Sequence, residues 1–145
     1  MSERILKGFL SVKYTPELTA LTIVTTATAL MWIPYVVARM RARGLSAIAP
    51  IDPGFPPEPE WAERAKRAHV NAIENLAGFA PLVLVAALVE VNTTATTVAA
   101  QIYVAARFVH YITHVTGIPY VRTVAFFVGA CATLVIATAI LGHAG

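Results

Sequence analysis

The apolar residues of this chain gather into long blocks, and the charged residues gather between those blocks. Hydrophobic residues make up 57% of the 145 residues and charged residues only 13%, whereas an ordinary soluble domain is about 25% charged. A hydrocarbon core about 30 Å thick is crossed by roughly 20 helical residues. The pattern therefore predicts an integral membrane protein with one compact domain.

Four stretches are long enough, or nearly so, to cross a bilayer as helices. They cover residues 18–38, 61–91, 94–115 and 120–142, all within a single domain over residues 1–145. The first ends in arginines, which is typical of a retained span and not of a cleaved signal peptide. The proline-rich segment 40–60 predicts an irregular loop, and the two later connections are short, so their helices run antiparallel. The predicted fold is an all-α, up-down four-helix bundle.

Basic residues are distributed unevenly between the two ends of this bundle. Eight lie toward the end that holds the loops after the first and third spans, and only three precede the first span. Cytoplasmic loops carry an excess of Lys and Arg, so both loops are predicted in the cytoplasm and both termini outside. This topology signal also accounts for the net charge of +3, and no nucleic-acid partner is expected.

Polar residues from all four helices fall at one membrane depth. On the second and third helices they recur every three or four residues, which places each set on one helix face. The residues are Arg64, Arg67, Asn71 and Glu74 on the second helix, Arg107, His110 and His114 on the third, Arg122, Thr123 and Phe126 on the fourth, and Arg39 at the end of the first. Several arginines around one carboxylate predict a site for an anionic ligand with carboxylate or phosphate groups.

These residues also have plainer interpretations. Arginines at cytoplasmic helix ends often mark topology or contact lipid headgroups, and Glu74 with Arg67 or Arg107 forms a structural ion pair in that interpretation. His110 and His114 have the i, i+4 spacing of a zinc-binding pair. Neither a carboxylate nor a cysteine joins them on their helix and the nearby arginines repel a cation, so no metal is expected.

Three short segments carry a resemblance to a known family. Residues 63–75, ERAKRAHVNAIEN, with Phe79-Ala80-Pro81 after them, resemble the second-helix signature of the MAPEG family, the membrane-associated proteins in eicosanoid and glutathione metabolism. Residues 107–110, RFVH, and 119–123, PYVRT, are similar to that family's third and fourth helices. The resemblance covers the chain from about Arg39 to its end.

The resemblance implies a homotrimer that binds glutathione between subunits at the cytoplasmic side. Carried over by position, Arg122 is the catalytic residue at the thiol, and the glutathione-binding residues are Arg39 (from the adjoining subunit), Arg67, Asn71, Glu74 and His110. The shared helix faces add Arg107, His114, Thr123 and Phe126 as further predicted binding residues. The chain departs from the prostaglandin-synthesising members at Val70, where they have a further arginine. It departs again at His114 and Phe126, where they have tyrosines.

Two functions of different classes follow from this resemblance. The first is a membrane-embedded glutathione-dependent transferase or peroxidase, with glutathione as cosubstrate and a lipophilic electrophile arriving from the membrane lipid. The alternative is a non-catalytic lipid- or partner-binding protein of the same fold, which Val70 and Phe126 favour. An ion or proton carrier ranks last, because the outer halves of the spans are nearly all apolar.

Overall fold

The structure, a computed structural model, describes residues 13–44 and 57–143. These residues are helical apart from caps and short connections. The helices are α1 (Pro16–Leu30), α2 (Trp32–Arg43), α3 (Glu60–Leu88), α4 (Thr94–Thr116) and α5 (Pro119–His143). The predicted all-α membrane class is confirmed.

A break at Met31 divides the first predicted span into α1 and α2. Pro34 has no backbone N–H, so the carbonyl of Leu30 loses its usual helical donor. At the same point the Met31 amide donates to the carbonyl of Thr28 at 3.2 Å, a tighter i to i−3 bond. Because Met31 keeps right-handed helical angles, α2 continues onward from α1.

The first loop begins later than predicted. Residues 40–43 still belong to α2, because the Ala and Arg residues there are good helix formers. The helix stops at Gly44, whose φ of 65° suits glycine. Most of the remaining predicted loop, residues 45–56, lies outside the described residues.

Among the described residues, three helical stretches are long and apolar enough to cross a membrane: Pro16–Arg43, Glu60–Leu88 and Pro119–His143. α4 is not among them because it carries Gln101, Arg107, His110 and His114. Its 23 residues nevertheless extend about 34 Å at 1.5 Å per residue. That α4 forms a further span stays a prediction.

The core lies where α1, α3, α4 and α5 meet. Phe79 of α3 stacks on Tyr103 of α4 with 3.7 Å between ring centroids, and both residues are fully buried. Small residues such as Ala99 and Ala132 let α4 and α5 approach closely. Close approach of small residues is the usual source of helix packing in lipid.

A buried carboxylate joins the beginnings of α1 and α4. Glu17, only 2% exposed, accepts hydrogen bonds from the hydroxyls of Thr96 at 2.6 Å and Thr97 at 3.0 Å. Its other oxygen accepts from Asn92 Nδ2 at 3.1 Å. The negative charge also faces the positive end of the α4 dipole. Glu17 therefore fixes α1 to α4 at the end of the bundle opposite the arginines.

Candidate functional site

The arginine-rich end of the bundle contains a pocket between α3, α4 and α5. Its volume is about 360 Å³, and it is lined by Asn71, His110, His114, Arg122, Thr123, Phe126 and Phe127. Six of these seven are residues that the sequence predicted for the site. The structure thus brings the faces of three helices together. We call this cavity the polar pocket.

Two histidines form the α4 wall of the polar pocket. The rings of His110 and His114 meet edge to face with centroids 5.5 Å apart. His110 is 6% exposed, and its ring lies 6.3 Å from that of Phe126 on α5. Nδ1 of His114 is buried without a hydrogen-bond partner in the described part of the chain. The wall therefore retains an unused polar group.

Arg122 is the charged residue in the first turn of α5. Its side chain is partly exposed and makes no hydrogen bond or ion pair with any residue of the described ranges. The positive charges of Arg122, Arg67 and Arg64 all act on the ring of His114. The polar pocket is consequently electropositive, as a site for an anion requires.

This chain is similar in sequence to known proteins. Residues 19–142 match the sequence model of the MAPEG family. The chain belongs to the MAPEG family. It is also 36% identical over 83 residues to microsomal glutathione S-transferase 1 from Rattus norvegicus. That alignment covers 57% of this chain and 54% of the relative, so the chain spans about half the length of the curated relative it matches.

The α3 residues of this MAPEG chain divide between the pocket and an open face. Asn71 lines the pocket and accepts from Asn75 Nδ2, at 2.8 Å through its carbonyl and 3.2 Å through Oδ1. Arg67 is exposed and pairs loosely with Glu63 at 3.6 Å. Glu74 is exposed, and no residue of the described chain bonds to its carboxylate. Glu74 thus presents its carboxylate on the open face of α3.

Arg39 is engaged within its own chain. Its Nε donates to Glu58 Oε1 at 2.6 Å, and Arg43 lies 3.9 Å from the same oxygen. Arg43 and Glu58 also belong to a second, mixed-charge cavity of about 590 Å³. It is lined by Arg43, Pro57, Glu58, Glu60, Glu63, Arg64 and Arg67. A role for Arg39 toward a neighbouring subunit stays a prediction.

Arg107 lies outside the polar pocket although it shares a helix face with His110. Its guanidinium is buried between α4 and α5, where Nη2 donates to the carbonyl of Phe126 at 3.0 Å. The spacing of these residues predicted the face correctly. It did not predict that a long side chain would cross to the neighbouring helix.

An apolar groove runs along α4 and α5 on the other side of Phe127. Its volume is about 850 Å³, and it is lined by Thr94, Ala95, Val98, Ala99, Ile102, Val124, Phe127, Val128, Cys131, Ala132 and Val135. Phe127 lines both this groove and the polar pocket. We call this cavity of α4 and α5 the apolar groove. An electropositive pocket and an apolar surface therefore meet at one residue.

Sequence reasoning missed several contacts that shape the site. Glu58, which pairs with Arg39, lies in the predicted loop, where no helical period relates the two residues. Arg64 Nε donates to the carbonyl of Val115 at 2.9 Å and so ties α3 to the end of α4. Phe127 sits beside a predicted residue, and its place on the apolar face of α5 was the available signal.

Within residues 13–44 and 57–143, no group of three or more His, Cys, Asp or Glu residues comes together. His110 and His114 therefore stand as a pair without a third ligand of these types in the described chain. The positive charge of Arg122 beside these two imidazoles disfavours a bound cation.

Proposed function

We propose that this chain is a membrane-embedded glutathione-dependent transferase or peroxidase acting on a lipophilic electrophile. The observation that carries the proposal is the free guanidinium of Arg122 in an electropositive pocket with Asn71, His110 and His114. Membership of the MAPEG family and the similarity to a microsomal glutathione S-transferase support glutathione as the thiol.

The charges at the arginine-rich end match the charges of glutathione. Glutathione has two carboxylates, one ammonium group and one thiol, so it needs several cationic groups and one anionic group. Arg67 and Arg122 supply cations, Asn71 can donate and accept, and the unpaired Glu74 supplies the anion. A guanidinium and a carboxylate pair through charge-assisted hydrogen bonds, which are the strongest of the ordinary ones. We infer that Glu74 takes the ammonium group and that Arg39, Arg67 and Asn71 take the backbone.

Arg122 is the residue that we assign to the thiol. A guanidinium beside a thiol favours the thiolate, which is the nucleophilic form. In conjugation the thiol proton passes to solvent, the sulfur lone pair forms the S–C bond, and the leaving group departs with its bonding electrons. In peroxide reduction two glutathione thiols become one disulfide while the O–O bond is reduced to an alcohol and water. Thr123, Phe126 and the two histidines line the space around the sulfur.

The apolar groove supports a lipophilic second substrate. Its lining is almost wholly aliphatic or aromatic, and α5, which forms one wall, is apolar enough to cross a membrane. A molecule dissolved in the hydrocarbon layer reaches such a groove without entering water. Phe127 then places it beside the polar pocket.

A homotrimer is part of the proposal. One face of α3 is uncovered in the single chain, with Val70, Ile73, Glu74, Ala77 and Leu84 all exposed. Lipid does not satisfy the carboxylate of Glu74, whereas arginines of a second copy and a bound zwitterion do. We therefore place the complete site between subunits.

The test is a thermal-melt titration of the detergent-purified protein with reduced glutathione, followed by a conjugation assay. Glutathione at 100 times its Kd adds about 2.7 kcal/mol to the free energy of unfolding. We expect saturable stabilisation that is lost in Glu74→Ala. We expect Arg122→Ala to abolish turnover while glutathione still stabilises the protein, and Arg122→Lys to keep part of the turnover.

The departures from the prostaglandin-synthesising members favour a second candidate, a non-catalytic lipid-binding protein. Val70 and Phe126 replace groups that contact glutathione in those members, and the apolar groove suits an acyl chain. Absence of any melting shift up to millimolar glutathione, together with stabilisation by lipid, supports this candidate and contradicts the first.

A further inference from the structure

Arg107 is the most deeply buried arginine of the described chain, at 3% exposure, yet it lies outside the polar pocket. Within the described ranges its guanidinium makes one hydrogen bond, to the carbonyl of Phe126. The groups Nε and Nη1 have no hydrogen-bond partner among the described residues. Aromatic rings surround the cation instead, with the Tyr103 centroid 5.2 Å and the Phe126 centroid 5.6 Å from Cζ.

Gly129 provides the space that this guanidinium occupies. A Cβ added at Gly129 would lie 2.8 Å from Cζ and from Nε of Arg107, and closer still to Nη2. Real Cβ atoms do not approach other heavy atoms so closely, so any residue other than glycine displaces the Arg107 side chain. Arg107 and Gly129 therefore form one contact between α4 and α5, which we call the arginine clamp.

The arginine clamp acts on Phe126, one of the four α5 residues that line the polar pocket. It holds Phe126 twice, through its carbonyl and through its ring. Arg122 lies one helical turn before Phe126 on the same face. The first buried residues of α5 are Ala125 and Gly129, so the clamp lies in the first buried layer of this helix.

We propose that Arg107 is a positioning residue, which fixes the rotation of α5 through Gly129 and so directs Arg122 and Phe126 into the polar pocket. A buried arginine inside a membrane bundle is costly, so its presence points to a role beyond packing. The catalytic consequence rests on the proposed function, whereas the clamp itself does not.

Variants that displace the Arg107 guanidinium and variants that remove its charge distinguish a positioning role from an electrostatic one. Arg107→Met removes the charge, and Arg107→Lys keeps the charge without the planar group. Gly129→Ala keeps the arginine but places a Cβ in the space that its guanidinium occupies. Gly142→Ala is the matched control on the same helix, because a Cβ there meets no atom within 4 Å. All are compared by the pH dependence of thiolate absorbance of bound glutathione and by kcat and KM separately.

We expect the three clamp variants to behave alike. In each of them the apparent pKa of the bound thiol rises. The value of kcat falls by up to about 100-fold, the loss expected from a displacement of about 1 Å. KM for glutathione changes less, and Gly142→Ala matches the parent. In an Arg122→Ala background, where glutathione still binds, Arg107→Met raises the apparent pKa of the bound thiol no further, because its effect passes through Arg122. Normal behaviour of Gly129→Ala and Arg107→Lys beside an impaired Arg107→Met indicates a through-space charge effect and overturns the proposal, as does additivity with Arg122→Ala.

A readout without ligand keeps the clamp testable if the parent protein binds no glutathione. Cys131, the one cysteine of the chain, is exposed on α5 two residues beyond Gly129. A trifluoromethyl label on its thiol reports the setting of α5 by fluorine NMR. A resonance that shifts or splits in Arg107→Lys and Gly129→Ala, but not in Gly142→Ala, supports the clamp. An unchanged resonance in both overturns it, and absence of glutathione binding to the parent contradicts only the proposed function.

Discussion

Glu17 shows how one buried side chain can determine stability far from the candidate site. Its carboxylate accepts hydrogen bonds from Thr96, Thr97 and Asn92 at the start of α4. Glu17→Ala leaves these donors without their acceptor. We expect it to lower the free energy of unfolding by about 1.5–3 kcal/mol, the range for hydrogen bonds to a charged group. Denaturant unfolding in detergent measures this loss.

The matched control for this prediction is Glu90→Ala. Glu90 is an exposed glutamate at the same end of the bundle, so its removal should leave stability within about 0.5 kcal/mol of the parent. Glutathione affinity should not change in either variant, because the polar pocket lies at the other end. Equal stability of the two variants would show that the buried carboxylate contributes nothing.

The spacing of residues along a helix predicts which helix face a side chain lies on, and only site residues fixed by that face could be predicted. Spacing of three or four residues placed Asn71, His110 and His114 on faces that meet in the structure. It could not place Arg39, because its partner Glu58 follows a loop whose path has no period. It could not place Arg107, because the reach of a long side chain depends on which neighbouring residue is small. Gly129 is that small residue, and its position opposite Arg107 is known only once α4 and α5 are paired.

α3 and α4 end in the same way, and this gives a prediction with two opposite signs. Glu90 and Gly117 both have positive φ, 59° and 82°. In each case the following amide donates back into the last turn, Val91 to Ala86 and Ile118 to Thr113, both at 2.8 Å. This is the Schellman motif, in which glycine is preferred. Only one of the two helix ends has the preferred residue.

We therefore expect Gly117→Ala to destabilise the protein and Glu90→Gly to stabilise it. A left-handed conformation costs a residue with a Cβ about 1–2 kcal/mol, and a Cβ at Gly117 meets Arg64 only at ordinary contact distance. Gly142→Ala, inside α5, serves as a control because it lacks positive φ. Thermal unfolding in one detergent compares all three. A shift of the same sign for both end variants contradicts the assignment.

The sequence predicted the positions of the helices better than it predicted where they break or end. Apolar length predicted the positions of α3 and α5 within a few residues. The division at Met31 follows from Pro34 and the missing donor to Leu30, a local effect that hydropathy does not register. α2 reached Arg43 because arginine and alanine sustain a helix after the apolar block has ended.

The uncovered face of α3 predicts how whole chains assemble. Ala77 lies on that face in the membrane-spanning part of α3, one turn beyond Glu74. If a second copy covers it, Ala77→Phe should disrupt the proposed homotrimer and with it glutathione binding. Ala105→Phe on α4, beside the exposed Ile102 and Val109, should leave assembly unchanged. Crosslinking and mass measurement in detergent decide this, and trimers that persist in Ala77→Phe exclude α3 as the interface.

The charge asymmetry of the chain sets the expected direction in which the bundle crosses the membrane. Arg39, Arg43, Arg64 and Arg122 all lie at one end, and an excess of Lys and Arg marks the cytoplasmic side. In a Cys131→Ala background we expect a membrane-impermeant thiol reagent to label His143→Cys in intact cells and Glu60→Cys only after permeabilisation. The reverse pattern would place the polar pocket outside the cell. Since cytosolic glutathione would then not reach that pocket, this one measurement tests the topology and the supply of the proposed cosubstrate together.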